Sequence, residues 1–221
     1  MHFISLNQNL MFYIFNMDHN NILAVVLAGG KSKRFGRDKS QVKLGNKRLI
    51  DYILNEIEDI YNDILIVTNE PIKFLNSNKI SITSDIKKDL GPLGGVLSAM
   101  KWARDNKKDY KWISTFPIDT PFFKKEHLIK FYKEINLGKC DLFFMKSKNT
   151  RHNIFGLWSL GLFEKLELAL DKGNRKVELW ANDIGVKTID FENENNKDPF
   201  FNINTMEDLE IAKKLLENDK L

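Results

Sequence analysis

Residues 22–28, ILAVVLA, form an unbroken apolar run rich in β-branched side chains, and this run sets the tightest limit on the fold. A strand with apolar residues on both faces needs cover on both faces, as a central strand of a parallel sheet has. Further runs of strand length alternate with stretches of helical period. The spacing predicts a helix over about 47–61, with Leu49, Ile50, Ile53, Leu54, Ile57 and Ile60 on one face. DILIVTN (63–69), KISITS (79–84) and YKWISTFP (110–117) read as strands, and GPLGGVLSAMKWA turns into a helix with Pro92 at its start. A helix is expected over about 125–136, then strands DLFFMK and NIFGLWS, and helices near 162–170 and 175–182. GVKTIDF and FFNI read as short strands, and TMEDLEIAKKLLEN as a closing amphipathic helix capped by Thr205. Such alternation implies an α/β fold of three layers, α/β/α, with right-handed crossovers. Ligands then bind outside the carboxyl ends of the strands.

The 221 residues carry a net charge of +4, which is mild, with 29% charged and 43% hydrophobic side chains. Nucleic-acid binders carry a stronger, clustered excess, so an anionic small ligand is expected and no nucleic-acid partner. The single Cys140 excludes a disulfide framework and any multi-cysteine zinc site; it is expected in the core of a protein of the reducing cytoplasm. No apolar run reaches the roughly 18 residues of a membrane span. Residues 1–21 lack the basic start and small-residue cleavage site of a secretory signal and are expected to form an N-terminal extension. Residues 22–221 are expected to be one domain, with ligand chemistry divided between 22–123 and 124–221.

After the first strand come Gly29 and Gly30, then Lys31, Lys33, Arg34, Arg37, Lys39 and Lys43. Two glycines at a strand end let backbone N–H groups approach an anion, and the cations reach in from the loop. The sequence is not a P-loop, because Val25 stands where that motif has its first glycine. Nor is it a dinucleotide fingerprint: Ser32 replaces the second glycine, and Asp51, the nearest acidic candidate, falls within a predicted helix.

The pattern L-A-G-G-x-S-x-R-x-G-x-D-K over 27–39 resembles the signature of the nucleotidyltransferase superfamily, most closely the molybdenum cofactor guanylyltransferases (the MobA family). Further matches follow in order: SDIKKDLGPLGG, FPIDTPF, RHNIFGLW, GNRKV and FFNINTMEDL. The resemblance runs from Ile22 to the last helix and implies a Rossmann-like, mostly parallel sheet of the nucleotidyltransferase type. It also implies transfer of GMP from GTP to the phosphate of Mo-molybdopterin, with release of pyrophosphate and dependence on Mg²⁺. Substrate phosphate is then the nucleophile, which accords with the lack of a Ser-His or Cys-His constellation.

By that resemblance, Arg34, Lys39 and Asp119 are catalytic, and Asp119 is the metal ligand. Leu27, Ala28, Gly29, Gly30, Lys39, Asp85, Gly91, Pro92, Leu93 and Asp119 would bind GTP. Arg151, His152, Arg175, Asn202 and Asn204 would face the molybdopterin. Two departures stand out: Gly94 where the family has alanine, and Asn153 where it has proline. The implied partners are GTP and Mo-molybdopterin, with molybdopterin-handling proteins and apo-molybdoenzymes as candidate protein partners of a monomer. Three alternatives remain open: a CTP-using molybdopterin cytidylyltransferase, a sugar-phosphate nucleotidyltransferase, and a non-enzymatic cofactor-delivery or nucleotide-binding protein.

Overall fold

The apolar run at the start becomes β1 (Ile22–Leu27), an interior strand of a seven-stranded sheet. The computed structural model describes residues 21–29, 41–72, 77–87, 89–106, 108–135, 139–191 and 198–218. β1 pairs in parallel with β4 (Ile64–Val67) on one side and β6 (Trp112–Pro117) on the other, and β5 (Ile80–Thr83) extends the sheet beyond β4. β8 (Thr150–Ser159) runs antiparallel between β6 and β7 (Leu142–Ser147), and β9 (Lys187–Phe191) closes the edge parallel to β7. The order is therefore β5-β4-β1-β6-β8-β7-β9, with β8 alone reversed. A separate hairpin, β2 (Lys43–Leu44) and β3 (Lys47–Arg48), turns through Gly45 at φ 60°.

Side chains of β1 alternate between two cores. Ala24, Val26 and Ala28 lie with Ile50, Ile53, Leu54 and Ile57 of α1 (Leu49–Ile57) and with Leu128 and Phe131 of α3 (Lys125–Glu134). Leu23 and Val25 lie with Leu93, Val96 and Met100 of α2 (Pro92–Asp105), with Leu166 and Leu170 of α4 (Phe163–Asp171), and with Trp180 of α5 (Val177–Ile184). Each fully buried Leu, Ile or Val contributes about 1.5–3 kcal/mol by leaving water, so covering both faces is what holds the sheet. A smaller cluster of Val42, Leu44, Leu49, Ile203, Leu209 and Ala212 ties the hairpin to α6 (Met206–Asn218). No helix among the described residues is long and apolar enough to cross a membrane.

Three details differ from the sequence reading. The first helix starts at Leu49, because Lys47 and Arg48 pair with β2, and Asp51 caps it by accepting from the Arg48 backbone N–H at 2.9 Å. FFNI forms no strand; Ile203 instead donates its N–H to the Asp119 carbonyl at 2.8 Å. β8 starts at Thr150, three residues ahead of the expected NIFGLWS, because it forms a tight hairpin with β7 across Lys148 and Asn149, at φ 46° and 61°, the two left-handed positions of a type I′ turn. Thr205 does cap the last helix: its hydroxyl accepts from the Asp208 N–H at 3.1 Å, and Asp208 Oδ2 accepts the Thr205 N–H at 2.8 Å. Cys140 is half-buried, its Sγ 3.1 Å from the Leu142 carbonyl and 3.3 Å from that of Gly185, either of which can accept its one proton.

Candidate active site

A cleft of about 1080 Å³ opens at the carboxyl ends of β1, β4 and β6 and continues to the β7–β8 hairpin. Leu27 of β1 is in register with Pro117 of β6, so the chain leaves both strands side by side. Leu27, Ala28 and Gly29 line the cleft on one strand, and Asp119 lines it two residues beyond the other. The Ala28 N–H donates to the Val67 carbonyl at 2.9 Å, which holds the β1 exit against β4. Asp119 is half-buried, with Oδ1 shielded from solvent, and its backbone carbonyl fixes Ile203. That bond brings Asn202 to the cleft wall.

Asp85 follows β5 and faces the same space. Its N–H donates to Asn69 Oδ1 at 3.1 Å, and Asn69 Nδ2 returns a bond to Asp85 Oδ2 at 2.9 Å. The carboxylate sits close under the backbone: a Cβ added at Gly29 or at Gly95 would lie 3.6 Å from one of its oxygens. α2 points its N-terminus at this region. Gly91, its N-cap, has φ 65°, a value suited to glycine, and Pro92 follows at the first helical position. The free N–H groups of a helix start and its dipole favour an anion or a carbonyl there.

The far half of the cleft is built on an irregularity. Phe144 pairs with Gly156, but the next residue, Met145, pairs with His152, so residues 153–155 bulge out of β8 and line the cleft. The Thr115 hydroxyl donates to the Ile154 carbonyl in that bulge and accepts from Trp158 Nε1 at 2.7 Å. Beside it, His152 stacks on Phe200 at 4.3 Å and 22°. His152 Nε2 lies 2.8 Å from Ser147 Oγ. Burial holds the His152 imidazole below its ordinary pKa, with the nearby Asp198 carboxylate pulling the other way.

Residues 24–183 match the family described as the MobA-like NTP transferase domain. The chain belongs to the MobA-like NTP transferases. A molybdenum cofactor guanylyltransferase of Rhizobium rhizogenes is 32% identical over 209 residues, covering 91% of this chain and 95% of the relative. One of Nitrobacter hamburgensis is 28% identical over 88% of this chain and 94% of its own length. The crystal structure of molybdopterin-guanine dinucleotide biosynthesis protein A from Archaeoglobus fulgidus superposes with a TM-score of 0.71 at 25% identity, covering 89% of this chain and 99% of that one. The chain is thus an enzyme of the nucleotidyltransferase type, with the sheet expected from its sequence.

Within this MobA-like frame, three of the expected residues are not among those that line the cleft. Leu93 is fully buried in the core beneath α2. The Arg175 guanidinium donates to the carbonyls of Leu170 at 2.6 Å and Asn174 at 2.9 Å, closing the C-terminus of α4. Asn204 donates its N–H to Asp208 Oδ2 at 2.9 Å and belongs to the start of α6. Arg151 does reach the cleft, but its guanidinium donates to Asn153 Oδ1 at 2.7 Å and to Asn182 Oδ1 at 2.8 Å. Gly30, Arg34 and Lys39 lie outside the described residues. Gly94 is explained by its neighbour, since a Cβ there would stand 2.6 Å from Leu90 Cβ. Asn69, Asp198 and Phe200 line the cleft without having been singled out from the sequence. In the sequence Asn69 reads as the end of a strand, and a strand's carboxyl edge is where open sheets bind ligands.

Proposed function

We propose that this MobA-like enzyme transfers GMP from GTP to the phosphate of Mo-molybdopterin, giving molybdopterin guanine dinucleotide and pyrophosphate. One observation carries the reading: the exits of β1 and β6 lie in register, so Ala28 and Gly29 share one cleft with Asp119. Its volume of about 1080 Å³ is at the upper end for a single small-molecule site and suits two substrates meeting end to end. The names of the relatives favour molybdenum-cofactor biosynthesis and guanine over cytosine.

In this reading the guanine lies at Asp85, whose carboxylate accepts from the N1–H and N2–H₂ groups that guanine presents. Leu27, Ala28, Gly29, Gly91 and Pro92 line the approach of the nucleoside, and the α2 N-terminus offers backbone N–H groups. Gly30, Arg34 and Lys39, which follow Gly29 in the sequence, are assigned to the phosphates by the family resemblance. Asp119 would supply a hard oxygen to Mg²⁺; when bound, the ion would neutralise charge on the leaving pyrophosphate. No group of three or more His, Cys, Asp or Glu residues suited to a metal occurs among the described residues, so substrate phosphates would complete the coordination. Arg151, His152 and Asn202 face the molybdopterin. Its phosphate oxygen attacks the α-phosphorus as the bond to pyrophosphate breaks, and the chain's part is alignment and charge stabilisation.

Anaerobic incubation with GTP, Mg²⁺ and Mo-molybdopterin, followed by mass analysis, tests the reading. The guanine dinucleotide is the expected product. A cytosine dinucleotide formed from CTP in its place, or a nucleotidylated sugar phosphate, would overturn it.

A further inference from the structure

The far half of the cleft holds a line of polar contacts that phosphoryl transfer does not itself require. Ser147, the last residue of β7, is fully buried, and its hydroxyl donates to Asp198 Oδ1 at 3.3 Å. A hydroxyl has one proton to give. Assigning that proton to the carboxylate makes the 2.8 Å contact to His152 run the other way, from Nε2–H to Ser147 Oγ. Asp198 is itself anchored, since Oδ1 also accepts the Phe200 N–H at 2.9 Å and Lys148 Nζ stands 3.9 Å from Oδ2.

A neutral imidazole protonated on Nε2 keeps a lone pair on Nδ1, and burial favours that neutral ring. Among the described residues no hydrogen bond reaches Nδ1, and His152 is half-buried with a side on the cleft. Stacking on Phe200 fixes the ring plane. The next residue complements it: Asn153 Oδ1 accepts from Arg151 Nε at 2.7 Å, which leaves the Asn153 NH₂ as the donor that this side chain offers. Both residues line the cleft. An acceptor beside a donor matches an amidic edge, an N–H next to a C=O.

We infer that Ser147 and Asp198 hold His152 as the Nε2–H tautomer, so that His152 Nδ1 accepts an N–H from the amidic edge of the pterin in the second substrate. The inference rests on the guanylyltransferase reading, because that reading supplies the pterin. Ser147 and Asp198 are positioning residues; His152 and Asn153 meet the ligand. Guanine carries a similar N–H and C=O edge, but the Asp85 pocket lies in the other half of the cleft.

The test uses the full chain labelled with ¹⁵N at histidine, with His152 assigned through His152→Gln, and titrated anaerobically with metal-free molybdopterin or with GTP. The expected result is an Nε2–H tautomer in the free protein and an Nδ1 resonance that shifts with molybdopterin but not with GTP. In kinetics, Ser147→Ala should raise KM for Mo-molybdopterin roughly 3- to 10-fold, the scale of one hydrogen bond, and leave KM for GTP unchanged. An Nδ1–H tautomer in the free protein overturns the inference. So does an Nδ1 resonance unmoved by saturating molybdopterin while guanylyl transfer proceeds, a result that leaves the functional reading standing. A shift with GTP alone assigns this edge to guanine and overturns the pterin assignment. Failure to bind molybdopterin at all defeats the functional reading, and the inference with it.

Discussion

Replacing Gly156 with alanine perturbs the place where sheet packing and the far half of the cleft meet. Gly156 pairs with Thr115 of β6 and Phe144 of β7. An added Cβ would stand 2.5 Å from the Phe143 carbonyl oxygen and meet the Phe144 ring. Neither neighbour can swing aside, because both phenylalanines are buried and the Phe144 ring packs edge-on against Trp158 at 5.0 Å. Relief requires the strands to part by about 1 Å, at the ~1–3 kcal/mol typical of overpacking. The stiffer unfolded chain offsets about 0.4–1 kcal/mol of that. A net loss of about 1–2 kcal/mol corresponds to a Tm roughly 2–8 °C lower for a chain of this size. The displaced strand carries the 153–155 bulge, so KM for Mo-molybdopterin should rise more than KM for GTP. Thermal unfolding followed by circular dichroism, with steady-state kinetics beside it, reads both effects. A Tm within 1 °C of wild type would refute the packing argument, and equal changes in the two KM values would refute the link to the cleft.

Asp119→Asn should lower kcat by about 10³-fold, the scale of several kcal/mol of metal-assisted charge stabilisation, while circular dichroism stays that of the wild type; near-normal turnover would remove Asp119 from the chemistry. Gly94→Ala gains about 1 kcal/mol of helix propensity but drives a methyl to 2.6 Å from Leu90 Cβ. It should therefore leave Tm within a few degrees and lower kcat/KM for GTP by up to ~10²-fold through the shifted 90–92 loop, as initial rates at varied GTP will report. His152 has a folded pKa below its ordinary value of 6.5, so the unfolded chain binds the extra proton more readily. Stability is then full above about pH 6.5 and falls as pH drops from there towards the folded pKa. His152→Gln should flatten Tm against pH in that window, and an unchanged slope would contradict the assignment.

The central strand was legible because seven apolar residues in a row admit few other placements, and both cores on its two faces follow from that. Asp119 and Asp85 stand on the cleft wall where the sequence reading put them, each two residues past the end of a strand, at the edge where open sheets bind ligands. The hairpin β2–β3 was not, because its two-residue strands carry no period to read and leave Lys47 and Arg48 looking like a helix start. Asp198 and Phe200 join the cleft through contacts with Ser147 and His152 some fifty residues earlier in the chain, which no local pattern records. Leu93, Arg175 and Asn204 show the opposite limit: a motif marks the segment near a ligand, while packing and capping decide which of its side chains face the cleft.

The central claim is transfer of a guanylyl group to a molybdopterin, and pyrophosphate release tests it most directly. The measurement compares GTP with CTP, each with Mg²⁺, in the presence and absence of Mo-molybdopterin. The account predicts release with GTP only, and only when the molybdopterin is present. Release with CTP instead, or release that ignores the molybdopterin, would contradict it.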